Sequence, residues 1–134
     1  MDSDTVCICI PDKEVFIPLL RLVLGGMAMR KNVCYDDLDD LQLAVDDLLA
    51  NRRPNGGQIC MTVRVEGCQL DITVEAVIDD ELCKRLEVAS VETATEEEPA
   101  VLDTCRLLHS LMDGYEVQEL SAGRYSIRMT KTCG

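Results

Sequence analysis

Several residues in this 134-residue chain have types and spacings that chemistry can use. Asp47 and Asn51 are four apart, so on a helix they are neighbours on one side, and Asp40 falls on that side two turns earlier. Together they form a polar edge beside an apolar stripe, which on an ordinary amphipathic helix is simply solvated. Cys7 and Cys9 share one face if their segment is a strand, which allows a metal pair. The alternative is that the eight cysteines are small buried apolar residues in a reducing cytoplasm. His109 is the single histidine. With no Ser or Cys partner in view it argues little for catalysis.

The stretch that carries Asp47 and Asn51, Asp36 to Asn51 (DDLDDLQLAVDDLLAN), is expected to be one helix. Leu38, Leu41, Val45 and Leu48 recur at steps of three and four and fall on one face, widened by Ala44 and Leu49. Asp36 and Asp37 stand at its start, where carboxylates cap free N–H groups and suit the dipole. Before it, Thr5 to Ile10 is β-branched and apolar and predicts a strand. A second helix then runs to about Arg30, starting either at an Asp12 cap or at Pro18, which is poorly placed inside a helix. Leu19, Leu20, Val23, Leu24 and Met27 are its expected buried face. Close packing of another backbone would account for Gly25-Gly26.

Turn chemistry at NRRPNGG is followed by strands over Gln58 to Val65 and Gln69 to Ile78, joined as a hairpin through Glu66-Gly67-Cys68. A short helix is expected over Glu81 to Val88. Ser90 to Pro99 reads as a polar acidic loop. Another helix starts near Pro99 with Val101, Leu102, Cys105, Leu108, Leu111 and Met112 inward, and stops at Asp113-Gly114. A final strand pair closes the chain. One domain over residues 1–134 is the expectation, a two-layer α+β sandwich with helices on one face of a mixed, mostly antiparallel sheet.

A net charge of −12 argues against nucleic acid and anionic membranes and favours a basic protein partner, or simply solubility. No apolar run reaches the ~20 residues of a membrane span. The acidic start MDSDTV is unlike a signal peptide. A cytoplasmic protein is the expectation.

The string LAVDDLLAN, ending at Asn51, resembles the N-box of the GHKL (Bergerat-fold) ATPases as carried by bacterial anti-sigma factor serine kinases, roughly L-A-V-x-E-x-x-x-N. The later stretches LLHSLMDGYEV and GRYSIRMTKT also resemble that family. The resemblance implies a general-base role at Asp47, in place of the family's Glu, and binding of nucleotide-held magnesium at Asn51. Asp is one methylene shorter than Glu, which bears on the reach of a base. The resemblance also places Arg21 where the family has a helix-1 Arg that contacts the sigma factor. A snorkelling surface Arg is the alternative.

The family's Asp-x-Gly-x-Gly, which reads adenine and lets backbone pass close to the ligand, falls on Ala76, Ile78 and Asp80. Its ATP lid falls on Ser90 to Pro99, where Glu96, Glu97 and Glu98 would repel a triphosphate. The Gly-x-Gly that opens its next helix is replaced by VLDTCR. The expectation is therefore an anti-sigma-like regulator that binds a sigma factor or an anti-anti-sigma protein, with a homodimer as a further partner option, and that uses no cofactor. One alternative is a working serine kinase that phosphorylates an anti-anti-sigma protein with Mg-ATP. Another is a dimeric interaction domain unrelated to sigma factors.

Overall fold

The computed structural model describes residues 3–30, 33–53, 57–91, 108 and 111–132. Strand β1 (Ser3–Pro11) is followed by a 3-10 turn at Glu14–Phe16, then helices α1 (Ile17–Arg30) and α2 (Tyr35–Ala50). Strands β2 (Gln58–Glu66) and β3 (Gln69–Val77), helix α3 (Asp80–Val91), and strands β4 (Gly114–Ser121) and β5 (Arg124–Thr132) complete the described elements.

The strands form one sheet in the order β1-β2-β3-β5-β4. Each described pairing is antiparallel. Two hairpins build it, β2–β3 through Gly67-Cys68 and β4–β5 through Ala122-Gly123. Gly67 (φ 61°) and Gly123 (φ 77°) take the left-handed backbone that these tight turns demand, a conformation that costs a residue with a Cβ.

Side-chain alternation divides the sheet into two unlike faces. Rows such as Ile8–Met61–Val74–Ile127–Val117 follow from the register and face the core. Leu20 and Leu24 of α1, Leu41, Val45 and Leu48 of α2, and Leu82 and Leu86 of α3 pack against that face. The opposite face carries Thr62, Arg64, Thr73, Glu75, Asp71 and Arg128. This is the expected α+β sandwich, with an antiparallel sheet throughout the described residues.

Leu108 and Met112 are buried and Leu111 partly so, as expected. Pro99, Val101, Leu102, Cys105 and His109 lie outside the described residues, as do positions 92–98 of the acidic loop. Ser90 and Val91 close α3.

Several local expectations are corrected. Asp12 caps no helix: Lys13 precedes the 3-10 turn without a side-chain cap bond, and α1 starts at Ile17, which puts Pro18 in the first turn where its missing N–H costs nothing. Cys34, not an Asp, precedes α2, while Asp36 and Asp37 occupy its first turn. Leu19 is 41% exposed, so the buried face of α1 is Leu20, Leu24, Met27 and Ala28. A Cβ at Gly25 would meet only Gln42 Nε2 at 3.7 Å, and at Gly26 nothing within 4 Å, so no close backbone contact requires this pair.

The cysteines also depart from expectation. Cys7, Cys34 and Cys68 are exposed, and Cys83 is buried. Cys7 and Cys9 do share the open face of β1, but Cys9 is bonded to Cys60 on β2. The two stand directly opposite with Cα atoms 4.1 Å apart, a cross-strand separation typical of a non-hydrogen-bonded pair. With Cys9 so committed, Cys7-x-Cys9 does not offer two thiolates to a metal.

On the same open face Asp71 is only 8% exposed. Gln69 Nε2 (3.2 Å) and Thr130 Oγ1 (3.0 Å) donate to one oxygen, and Arg128 Nη2 (3.0 Å) donates to the other. Burial pushes this carboxyl up, but the three hydrogen bonds and the guanidinium charge outweigh it and hold it below the usual carboxylate range. The stability it contributes is therefore complete above the unfolded value and is lost as pH falls through the lower, folded value. Asp71→Asn is expected to cost about 1–3 kcal/mol at neutral pH, because charge-assisted bonds become neutral ones. Urea unfolding at pH 7 and near pH 2 should show the gap to wild type closing at the acid end. A gap that persists there would assign the loss to shape and not to charge.

Candidate functional site

The last turn of α2 brings Asp47 and Asn51 together. Asn51 caps the helix, and its backbone N–H donates to Leu48 O at 3.1 Å. Its side-chain Nδ2 donates to the backbone carbonyl of Asp47 at 2.9 Å. Asp47 Oδ2 is buried with no hydrogen-bond partner among the described residues. A buried carboxylate oxygen without a donor is costly, so this atom is the chemically notable point of the site. Asp40, at the far end of the same edge, lies 3.6 Å from Lys131 Nζ on β5, which also donates to Leu111 O at 2.8 Å. The polar edge read from the sequence is half-buried, not freely solvated.

The end of β3 forms the floor beside it. Ala76 and Ile78 are fully buried. Ile78 bridges Arg52, and its N–H donates to Gly123 O at 3.2 Å. The Asp79 backbone N–H donates to Asn51 O at 3.1 Å, and its carboxylate pairs with Arg53 at 3.0 Å and accepts from Glu81 N. Asp80 accepts from Tyr125 O–H at 3.0 Å. Burial, and then the Asp80 carboxylate, push the Tyr125 hydroxyl well above its ordinary value, so it remains a donor. All three positions of the Asp-x-Gly-x-Gly resemblance thus hold side chains with packing or bonding roles. No carboxylate stands at position 76 to read an adenine amino group, and Ile78 fills space that a glycine would leave to a ligand. Asp47 Oδ2, by contrast, is an acceptor still open to a partner.

Arg21 lies apart from Asp47. Its guanidinium contacts Asp46 Oδ2 and donates to Gln42 Oε1 at 3.1 Å, and the Arg21 backbone carbonyl accepts from Gln42 Nε2 at 3.3 Å. Asp46 and Asp47 are about 100° apart around the helix axis, so one turns to α1 and the other to the site. Arg21 is thus a clasp between α1 and α2 that stays 46% exposed.

One cluster was not foreseen. Arg52, next to Asn51, donates Nε to Asp12 Oδ1 at 2.7 Å, Nη2 to Glu14 Oε1 at 2.9 Å and Nη1 to Leu49 O at 3.2 Å. It ties the C-terminal end of α2 to the end of β1. The signal in the sequence was a charged pair, Arg52-Arg53, inside a stretch read only as turn chemistry.

Among the described residues no group of three or more His, Cys, Asp or Glu is placed to hold a metal ion, and no helix is long and apolar enough to cross a membrane.

The layer order and sheet topology define a two-layer α+β sandwich built on one antiparallel five-stranded sheet among the described residues. A chain of the SiaB–SiaC complex from Pseudomonas aeruginosa superposes with a TM-score of 0.64, covering 93% of this chain and 88% of that one at 7% identity, a likeness of fold alone. In sequence, the chain is similar to the serine-protein kinase RsbW of Halalkalibacterium halodurans, 33% identical over 48 residues, and to that of Bacillus thuringiensis, 33% identical over 42 residues. These matches cover 36% and 31% of this chain but only 30% and 26% of the relatives' own length. No family model matches the chain.

Proposed function

We propose that this protein is an anti-sigma-type regulator that acts by binding a protein partner, a sigma factor or an anti-anti-sigma protein, with nucleotide use lost or weakened. The observation that carries the reading is the end of β3. Ala76, Ile78 and Asp80 serve the core and the Tyr125 hydrogen bond, while the described helices and the sheet around them form one packed core. The short similarity to RsbW serine-protein kinases supports the regulatory class, and the matched structure is itself a two-protein complex. Arg21, exposed at the α1–α2 clasp, is the proposed contact residue, set to exchange Asp46 for a carboxylate of the partner.

A thermal melt with millimolar Mg-ATP tests the nucleotide half. A ligand at 100 times its dissociation constant stabilises a fold by ~2.7 kcal/mol, and no upward shift is expected here. A pull-down repeated with Arg21→Glu tests the partner half. Recovery of a sigma factor or its antagonist by the wild type alone is the expected result, and equal recovery by both would remove Arg21 from the interface.

The unpartnered Asp47 Oδ2 favours a second reading, a working serine kinase with Asp47 as base and Asn51 beside the magnesium. Phosphate transfer to an anti-anti-sigma protein that Asp47→Asn abolishes would put that reading first.

A further inference from the structure

Helix α1 has apolar residues on two sides. Its inner side is the core stripe, but Leu19, Leu22, Gly26 and Met29 recur outside it at steps of three, four and three, and Val15 lies in the 3-10 turn just before them. Val15 is 75%, Leu22 70% and Met29 74% exposed, and Gly26 has open space where a side chain would stand. That spacing is the seam with which one helix receives another, and a helix apolar on every side is normally covered.

The border of this seam is acidic. The α1 cations are each engaged by a carboxylate, Arg21 by Asp46 and Arg30 by Asp4 at 3.8 Å. Beside them the outer face of α2 presents Asp36, Asp39 and Asp46 around a half-exposed Leu43. A second copy of this chain would bring the same carboxylates, and a net charge of −12, against themselves.

We propose that the outer face of α1 is the docking site for a partner helix with an apolar ridge and a Lys/Arg flank. This rests on the partner-binding reading above and names the chemistry of that partner. The ridge covers Leu22 and Met29 and lies over the bare backbone at Gly26, while the flank meets the α2 carboxylates. Like-signed alternatives are disfavoured by the border, which gives the surface its selectivity.

The test uses two synthetic helical peptides with leucine at four-three spacing, one with lysine and one with glutamate flanks, followed by fluorescence anisotropy against the whole chain. The lysine peptide is expected to bind and the glutamate peptide not. Leu22→Gln with Met29→Gln should weaken binding at least about tenfold, since apolar anchors dominate such interfaces. Asp36→Asn with Asp39→Asn should weaken it and flatten its salt dependence. Leu120→Gln, at an exposed apolar site on β4, should change nothing. Circular dichroism confirms that each variant is folded.

Equal binding of both peptides, or no effect of the Leu22/Met29 pair, overturns the proposal. So does a wild-type dimer in sedimentation that this pair dissociates, because the occupant would then be a second copy. Sigma-factor recovery untouched by the pair also overturns this docking face while leaving the regulator reading standing. Recovery of neither sigma factor nor antagonist, with peptide binding intact, removes the regulator reading instead.

Discussion

Removing Arg52 is expected to destabilise the fold by about 3–5 kcal/mol, the usual cost of leaving one half of a buried ion pair without its partner. The Asp12 side chain is 1% exposed and that of Arg52 10%, so neither charge can turn to water when the other is lost. The Glu14 hydrogen bond is the largest influence raising the Arg52 guanidinium above its ordinary value, ahead of the Asp12 bond and charge, with burial opposing. Glu14, however, is 85% exposed, and water screens it. Glu14→Gln should therefore cost less than about 1 kcal/mol. Arg52→Met alone should show the full loss in urea unfolding, while Arg52→Met with Asp12→Leu should recover much of it, because a matched apolar pair leaves no buried charge. A single variant as stable as wild type would mean that the pair contributes nothing. Natural domains have a total margin of about 5–15 kcal/mol, so the predicted loss is a large fraction of stability.

Replacing both Cys9 and Cys60 by serine is expected to cost about 4 kcal/mol relative to the oxidised protein. The bridge joins positions 51 apart and restricts the unfolded chain over that whole loop. For a chain of this length the melting temperature should fall by roughly 10–15 °C. Dithiothreitol should lower the wild type to the level of the double variant and leave the variant unmoved. Identical melts of wild type with and without reductant would show that the bridge adds no stability.

Much of the framework was legible from periodicity. The apolar steps of α2 and the alternation of β2 and β3 each involve neighbours in sequence, and all three elements lie within a residue or two of expectation. Asp12 shows where that reasoning ends. Its local context fits a helix cap, but its partner Arg52 is 40 positions away, and only the fold brings them together. The cysteines show the same limit. Strand parity put Cys7 and Cys9 on one face, yet the bond to Cys60 depends on the register between β1 and β2. At the candidate site, Asp47 and Asn51 were found through the N-box resemblance. That Asp47 Oδ2 is buried without a donor, and that Asp80 serves Tyr125, are facts of packing that no spacing encodes. Leu19 and Leu22 could be named apolar from the sequence, but which side of α1 lacked a cover could not.

The sheet order has a kinetic consequence. The β2–β3 and β4–β5 hairpins each close over a two-residue turn, which a chain does in microseconds. The central seam, β3 against β5, joins them across everything from Ile78 to Gly123. Its loop-closure entropy must be overcome before the Val74–Ile127 and Ile72–Met129 pairs return any stability. Collapse onto a finished sheet therefore waits for this long-range contact at its middle, and for β1 to close an equally long loop, Pro11 to Gln58, onto β2. Until then each hairpin presents an apolar face to solvent and an unpaired edge to its neighbours. The period before the seam closes is when this protein is most open to aggregation.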